Sequence, residues 1–209
     1  MEKLVFIVDD DKAVRASVAR LLRSAGHASK EFATAEEFLQ EPSHAMPACL
    51  VLDMRLTTAS GFDVIEALAL KGSTLPVIFI TGYGSIPMSV RAMKAGAQEF
   101  LTKPIDSEDL LRAVDEALVS AEVNFHAHRD LLESKQRYTT LTQREREVLG
   151  LAIGGLMNKQ IAMELGIQEV TAKVHKQKVM EKMGARNLVG LVKIAQRLNI
   201  PSTKSRYTS

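Results

Sequence analysis

The sequence predicts a doubly wound α/β domain with a five-stranded parallel sheet, followed by an all-α domain of four helices that contains a helix-turn-helix. Three observations lead to this fold class. In the first 120 residues, short apolar runs alternate with amphipathic segments, an order that favours a parallel sheet with helices on both faces. From residue 141 onward the pattern is helical throughout. Between the two halves, residues 106–142 contain neither proline nor glycine.

The predicted strands are short runs of apolar residues. Residues 4–8, 49–52 and 77–80 are continuously apolar, as strands buried on both faces should be. Residues 28–32 and 98–101 are weaker candidates for two more strands. In such a sheet, the ligand site is expected at the carboxyl ends of the strands.

Helices are predicted between the strands and after the last one. Residues 12–25 repeat apolar side chains at helical spacing and are followed by Gly26, a typical helix stop. Asp106 begins a much longer helical pattern after the last strand. The remaining helices of this half are predicted at residues 35–39, 62–70 and 86–95.

The second half is predicted to form four helices. Thr142 and Glu145 make a capping-box pattern at the start of the first helix, which Gly154 and Gly155 end. Gly166 supplies the tight turn of a helix-turn-helix between the second and third helices. The other helices are predicted at residues 158–165, 169–183 and 187–198.

These patterns divide the chain into four parts. The first domain is expected at residues 1–120, a helical and semi-rigid linker at 121–140, the second domain at 141–200 and a polar, disordered tail at 201–209. A flexible connector is the alternative for the linker, because the sequence around residues 124–129 is weakly amphipathic.

Composition and charge limit the classes of function. Hydrophobic residues make up 46% of the chain and charged residues 25%, and no apolar run reaches the roughly 18 residues of a membrane span. The single cysteine, Cys49, excludes an internal disulfide, and with the absence of an export signal we expect a cytoplasmic protein without membrane contact. From Arg137 onward, 13 Lys and Arg face 5 Asp and Glu, against 14 and 20 before it. The basic half is a candidate for binding phosphate backbones, although charge alone equally fits an ordinary surface.

Acidic, hydroxyl and basic residues follow the predicted strands of the first half. Asp9, Asp10 and Asp11 follow the first strand, and Asp53 follows the third. We expect these carboxylates to meet at one edge of the sheet, where a hard cation such as Mg²⁺ would relieve their repulsion. A hydroxyl and an ammonium, from Thr81 and Lys103, follow the fourth and fifth strands. Such a set can hold a phosphoryl group on a carboxylate.

The first half resembles the receiver domain family over about residues 3–120. The matching segments read VFIVDDDKAVR, LVLDMR and FITGYGSIPMSVRAMKAGAQEFLTKP. The resemblance implies that a sensor histidine kinase phosphorylates Asp53. It also implies that Mg²⁺, or Mn²⁺, binds Asp9, Asp10, Asp53 and the backbone carbonyl of Arg55. Asp11 would be an outer carboxylate or a cap of the first helix.

The same resemblance assigns switch residues and shows one departure. It implies that Thr81 is the switch hydroxyl, Phe100 the switch aromatic and Lys103 the phosphate partner before a cis proline. Thr57 stands where the family usually has proline after the phosphoacceptor. We therefore expect the loop at residues 56–60 to be more mobile, with a changed metal affinity or autodephosphorylation rate.

The second half carries a candidate recognition helix for DNA. Residues 170–180 contain no acid and several lysine and amide side chains, and such a face can enter a major groove. The segment LTQREREVLGLAIGGLMNKQIAMELGIQEVTAKVHKQKVMEKMGARNLVGLVKIA resembles the LuxR-type DNA-binding domain, and the whole chain resembles the FixJ-type transcription regulators. The resemblance implies base contacts by Lys173, Val174 and Gln177. It implies phosphate contacts by Thr171, His175, Lys176 and Lys178, with Asn158 and Lys159 in support. Because Met157 occupies a usual capping position, Asn158 is expected to cap the second helix.

The resemblance implies a phosphorylation-dependent transcription regulator and not an enzyme, with only weak autodephosphorylation. Its partners would be a sensor histidine kinase, promoter DNA, RNA polymerase and a second copy of the chain. A haloacid dehalogenase-type phosphatase would need an acid two residues past its nucleophile, where Arg55 stands. A stand-alone phosphorelay protein would lack the basic half, and a LuxR-type quorum sensor would lack these carboxylates. A receiver that binds DNA constitutively remains open.

Overall fold

A computed structural model of the chain describes residues 2–42 and 46–203. The chain divides into two compact units, residues 1–126 and residues 127–209. Among the described residues, no helix combines the length and hydropathy that a bilayer span requires. The tail at residues 201–209 was predicted to be disordered, and residues 204–209 of it lie outside the described residues.

The first unit is a parallel sheet with helices on both faces, as predicted. Its strands are β1 (Leu4–Val8), β2 (Ala28–Phe32), β3 (Ala48–Asp53), β4 (Val77–Thr81) and β5 (Glu99–Thr102). The strands lie in the order β2-β1-β3-β4-β5, and every neighbouring pair is parallel. Its helices are α1 (Lys12–Ser24), α2 (Ala35–Leu39), α3 (Gly61–Leu70) and α4 (Ile86–Lys94). A fifth helix, α5 (Ser107–Thr139), begins in this unit and ends within the residues of the second.

Two apolar cores, one on each face of the sheet, hold the strands in place. Successive strand residues point to opposite faces, so Phe6 and Val8 join one core while Val5 and Ile7 join the other. Cys49 is fully buried in the second core together with residues of α1 and α5. Burial on both faces explains why β1, β3 and β4 are continuously apolar in sequence.

The second unit packs four helices around its own core. They are α6 (Gln143–Ile153), α7 (Asn158–Leu165), α8 (Glu169–Met183) and α9 (Leu188–Arg197). The predicted capping box of α6 is confirmed, because Glu145 N donates to Thr142 Oγ1 at 3.3 Å and Thr142 N donates to Glu145 Oε2 at 2.8 Å. Gly166 ends α7 with a φ of 62°, in the left-handed region that favours glycine.

The start of the tail differs from the prediction. Thr203 N donates to the backbone oxygen of Gly150 at 2.9 Å. A Cβ added at Gly154 would lie 2.4 Å from the backbone oxygen of Thr203, so the missing side chains of these two glycines leave room for the segment. The predicted disorder therefore does not extend to Thr203.

Candidate functional site

The carboxyl ends of four strands bring the predicted phosphate-handling residues together. Asp9 directly follows β1, Asp53 is the last residue of β3, Thr81 ends β4 and Lys103 directly follows β5. Asp9, Asp53 and Thr81 are all buried. The order of the strands places β3 between β1 and β4, so these side chains lie along one edge of the sheet.

Lys103 lies between two carboxylates at this edge. Its Nζ is 2.7 Å from Asp9 Oδ2 and 2.8 Å from Asp53 Oδ1. The second oxygen of each carboxylate accepts a backbone hydrogen bond: Asp9 Oδ1 from Asp11 N at 2.8 Å and Asp53 Oδ2 from Arg55 N at 2.9 Å. The ammonium therefore compensates two acids that would otherwise repel each other across a buried space.

Burial and pairing act in opposite directions on these groups. Burial raises the pKa of Asp53 above its usual value, by more than the hydrogen bond from Lys103 lowers it. For Lys103, burial lowers the pKa, but the hydrogen bonds to Asp53 and Asp9 and the negative charges of these two acids together raise it by more, so that its net pKa is raised. Lys103 consequently stays charged at neutral pH, a fixed cation beside a carboxylate.

The three consecutive aspartates have three different environments. Asp9 is buried and pairs with Lys103, as described above. Asp11 caps α1, since its Oδ1 accepts from Ala13 N at 2.7 Å. The exposed Asp10 instead accepts a short hydrogen bond from the Thr57 hydroxyl. The cap assignment for Asp11 is therefore confirmed, and Asp10 is held by the loop that follows β3.

The donor atoms at this edge suit a hard divalent cation. Carboxylate and carbonyl oxygens are the ligands that Mg²⁺ and Mn²⁺ prefer, and Asp9, Asp10, Asp53 and Arg55 supply them. Within residues 2–42 and 46–203, however, no group of three or more acidic, histidine or cysteine side chains converges on one cation position. The ligand atoms are thus of the type that such a cation binds, but Asp10 is hydrogen-bonded to Thr57 instead.

The predicted switch residues border the same edge. Thr81 Oγ1 accepts a hydrogen bond from Tyr83 N at 3.2 Å, and Phe100 lies half-buried on β5 against the first core. The peptide bond between Lys103 and Pro104 is cis, as the family resemblance implies. A further contact at this edge was not predicted from the sequence: the Arg55 guanidinium stacks over the Tyr83 ring, 4.6 Å from its centre. No spacing rule links these two residues, because they follow different strands.

The second candidate site is the exposed face of α8. Most of the predicted DNA contacts on this helix are exposed: Thr171, Lys173, Val174, Gln177 and Lys178. His175 and Lys176 are half-buried, as is Asn158 on α7, whereas Lys159 is exposed. Lys173 and Gln177 are four residues apart and therefore share one side of the helix. The face combines cationic, amide and apolar side chains.

Val170 is a further candidate contact on α8, beyond those expected from the sequence. Its side chain is 71% exposed, whereas Val179 and Met183 are buried in the core. An exposed apolar group on such a helix can contact a thymine methyl. Exposure to solvent, which sequence periodicity does not reveal, distinguishes Val170 from Val179.

Apolar side chains position α8, and an ion pair between Lys182 and Glu145 holds its last turn. Ala172, Val179 and Met183 anchor it in the core of the second unit. Gln168 precedes the helix without a side-chain cap hydrogen bond, so the first backbone N–H groups remain available to an anion such as a phosphate.

The prediction that Asn158 caps α7 is wrong. The helix begins at Asn158 with Met157 as its N-cap residue, and Met157 N donates to Gln160 Oε1 at 2.8 Å. Asn158 Oδ1 is buried without a hydrogen-bond partner in the part of the chain that the structure describes. Asn158 lies inside the first turn of the helix, where its side chain does not take the place of the N-cap side chain.

Comparisons with known proteins match the two units separately. Residues 5–115 match the response regulator receiver domain, and residues 139–201 match the bacterial regulatory proteins of the LuxR family. The two matched segments correspond to the sheet with its helices and to the four-helix unit.

Curated relatives align with almost the whole chain. Nodulation protein W of Bradyrhizobium diazoefficiens is 42% identical over 98% of this chain and 90% of its own length. The response regulator protein TmoT of Ectopseudomonas mendocina is 43% identical over 94% of this chain and 90% of its own. The transcriptional regulatory protein FixJ of Rhizobium meliloti is 40% identical over 91% and 94%.

Two solved structures cover both units. The response regulator StyR has 45% sequence identity and a TM-score of 0.80, over 94% of this chain and 100% of that one. Full-length FixJ from B. japonicum has 34% identity and a TM-score of 0.55, over 94% and 97% of the two chains.

Proposed function

Because the chain belongs to the two-component response regulators, as a transcription regulator with a receiver domain and a LuxR-type DNA-binding domain, we propose that a sensor histidine kinase phosphorylates Asp53 and thereby switches its binding to promoter DNA. The observation that carries the proposal is the placement of Asp53 beside Lys103, 2.8 Å away at the carboxyl edge of the sheet. A carboxylate next to a fixed cation can accept and retain a phosphoryl group.

The phosphoryl transfer uses groups that lie at this edge. One oxygen of Asp53 attacks the phosphorus, and the bond from phosphorus to the imidazole nitrogen of the kinase breaks. Lys103 compensates the charge of the phosphoryl oxygens. Asp9, Asp10, Asp53 and the carbonyl of Arg55 would hold Mg²⁺ or Mn²⁺, which supplies further positive charge to the transferred group.

The switch would pass from the phosphoryl group to an exposed apolar surface. The Thr81 hydroxyl can donate a hydrogen bond to a phosphoryl oxygen, and Phe100 on the neighbouring strand would repack in response. Helix α4 follows Thr81 in the chain and exposes Ile86 to 82%, Val90 to 47% and Met93 to 49%. Exposed apolar side chains on one helix are typical of association surfaces, which supports a homodimer that forms on phosphorylation.

A dimer would bind DNA through two copies of α8. Lys173, Val174 and Gln177 would read bases, and Thr171, His175, Lys176, Lys178, Asn158 and Lys159 would contact phosphates. Joining two half-site readers raises affinity through effective concentration. Bound at a promoter, the dimer would contact RNA polymerase.

The chain would comprise a receiver domain at residues 1–120, a linker at 121–140 and a DNA-binding domain at 141–200, as expected from the sequence. The helix α5, which runs from Ser107 to Thr139, supports a helical linker. The protein would act in the cytoplasm, where its DNA lies. Its chemistry would be limited to accepting the phosphoryl group and losing it slowly to water.

One experiment tests the proposal as a whole. The full chain and the Asp53→Asn variant are incubated with acetyl phosphate and Mg²⁺, and intact mass and affinity for promoter DNA are measured on the same samples. We expect one added phosphoryl group and tighter DNA binding for the native chain only. Equal labelling of the variant would remove Asp53 as the acceptor. Labelling without any change in DNA affinity would favour constitutive DNA binding.

A further inference from the structure

We propose that Thr57 is a positioning residue that engages Asp10 through its hydroxyl, so that a divalent cation must break the Thr57–Asp10 hydrogen bond in order to bind between Asp10 and Asp53. The inference rests on the proposed function, because it takes the cation to bind at Asp53. It concerns which residue of this chain sets the affinity for that cation.

The first observation is the uneven engagement of the acids. Lys103 pairs with Asp9 and Asp53, whereas Asp10 Oδ2 accepts from the hydroxyl of Thr57, which lies 47 residues away in sequence. The carboxylates do not converge on a cation position in the described residues. An oxygen that accepts a hydroxyl proton has one lone pair fewer to offer a metal.

The second observation is that hydrogen bonds hold the loop that carries Thr57. Leu56 N donates to the backbone oxygen of Ala59 at 3.1 Å, which closes a turn around Thr57 and Thr58. The Thr58 hydroxyl contacts both carboxylate oxygens of Glu36, at 3.1 and 3.2 Å. The hydroxyl of Thr57 is therefore presented from an ordered turn, and the two threonines bind two different acids.

The third step is a chemical argument. Asp10 Oδ2 accepts the Thr57 hydroxyl, so Asp10 can offer that oxygen fully to a cation at Asp53 only if the hydroxyl contact is given up. A side chain of the same shape without the hydroxyl removes this contact. Valine at position 57 meets that condition because it is also β-branched and keeps its backbone N–H, whereas proline would change the backbone as well.

Calorimetric titration of the full chain with magnesium chloride alone tests the inference. We expect Thr57→Val to bind Mg²⁺ about threefold to tenfold more tightly than the native chain, the range that one net hydrogen bond can contribute. Thr57→Ser keeps the hydroxyl and should retain the native affinity. Thr58→Val is the matched control: it removes a hydroxyl from the same turn but leaves Asp10 untouched, and should also retain the native affinity.

Unchanged or weaker Mg²⁺ binding by Thr57→Val would overturn the inference. Equal tightening by Thr58→Val would do the same, since it would trace the effect to the turn as a whole. Circular dichroism confirms that each variant is folded, and Thr57→Ala serves if valine is not tolerated. Asp10→Ala separates the two levels: if it leaves Mg²⁺ binding unchanged, the proposed cation site fails, whereas weakened binding by Asp10→Ala beside an unaffected Thr57→Val refutes the role of Thr57 alone.

Discussion

Lys182 Nζ lies 2.6 Å from Glu145 Oε2, and this ion pair connects the last turn of α8 to the first turn of α6. The same carboxylate oxygen accepts from Thr142 N, so one buried side chain both caps α6 and anchors the candidate recognition helix. Lys182 also donates to the backbone oxygen of Thr140 at 3.2 Å. The orientation of α8 thus depends on a charge as well as on the apolar core.

This ion pair should make the stability of the DNA-binding unit depend on pH. The hydrogen bond from Lys182, followed by that from Thr142 N, lowers the pKa of Glu145. The resulting stabilisation is complete above the ordinary carboxyl pKa of about 4.3 and is lost as the pH falls through the lowered value of the folded state. Glu145→Gln should therefore destabilise the unit more at pH 6 than at pH 3.

Urea unfolding of both proteins at the two pH values measures this difference. Glu147→Gln is the control, because its pairing with Arg144 is partly exposed and should contribute less than about 1 kcal/mol. A loss of stability in Glu145→Gln that is equal at pH 6 and pH 3 would mean that the charge of Glu145 is not what stabilises the unit.

Removal of Lys103 should leave two buried carboxylates without a counter-charge. We expect Lys103→Ala to lower the free energy of unfolding by about 1–3 kcal/mol in a metal-free buffer, below the value for a fully buried pair because Lys103 is partly exposed. Mg²⁺ should restore part of this loss, since it supplies the missing positive charge. Lys94→Ala, at an exposed position, is the control. If Mg²⁺ stabilises both variants equally, Lys103 and the cation do not act on the same carboxylates.

Dimerisation should depend on the apolar face of α4. Ile86→Glu places a charge on a side chain that is 82% exposed, and it should leave the monomer folded while preventing the association expected after phosphorylation. Leu70→Glu is a matched control on α3, where the leucine is 85% exposed. Analytical ultracentrifugation with and without acetyl phosphate measures the mass. A phosphorylated Ile86→Glu variant that still dimerises would place the interface elsewhere.

Base contacts and phosphate contacts on α8 should differ in specificity and in salt dependence. Gln177→Ala should cost roughly 1–3 kcal/mol on the operator and much less on random DNA, because glutamine can form a bidentate contact with adenine. Lys178→Ala should weaken both complexes alike and reduce the salt slope by about one unit. Lys176 is half-buried, which makes Lys178 the better of the two lysines for this comparison. Binding curves at several salt concentrations provide the measurement. Equal losses on both DNAs for Gln177→Ala would exclude its role in base reading.

The strands and most helix ends could be predicted from the sequence because local patterns determine them. The run of apolar residues correctly predicted where β1 begins and ends, and the following glycines correctly predicted where α7 and α8 end. The end of β3 shifted: Asp53 belongs to the strand itself, because pairing with β4 continues up to Asp53 opposite Ile80. A polar residue at a strand end carries no sequence signal for that pairing.

Features that depend on distant partners could not be predicted. The loop after Asp53 was expected to be mobile because it lacks the usual proline, yet hydrogen bonds tie Thr57 to Asp10 and Thr58 to Glu36. These partners are 47 and 22 residues away, and a hydroxyl can bind many acceptors. The stacking of Arg55 on Tyr83 could not be predicted for the same reason. The residues at the carboxyl edge of the sheet were predictable, but the hydrogen-bond and stacking partners of Asp10, Thr58 and Arg55 were not.

The burial of Cys49 makes the chain convenient for spectroscopic labelling. Burial raises the pKa of its thiol to about 12, so almost no thiolate forms at neutral pH and maleimide reagents will scarcely react with it. The chain has one cysteine. A second cysteine introduced at an exposed position, such as Lys94→Cys or Gln143→Cys, would therefore be modified selectively. Fluorescent or nitroxide probes could then follow each domain in turn without replacement of the native core residue.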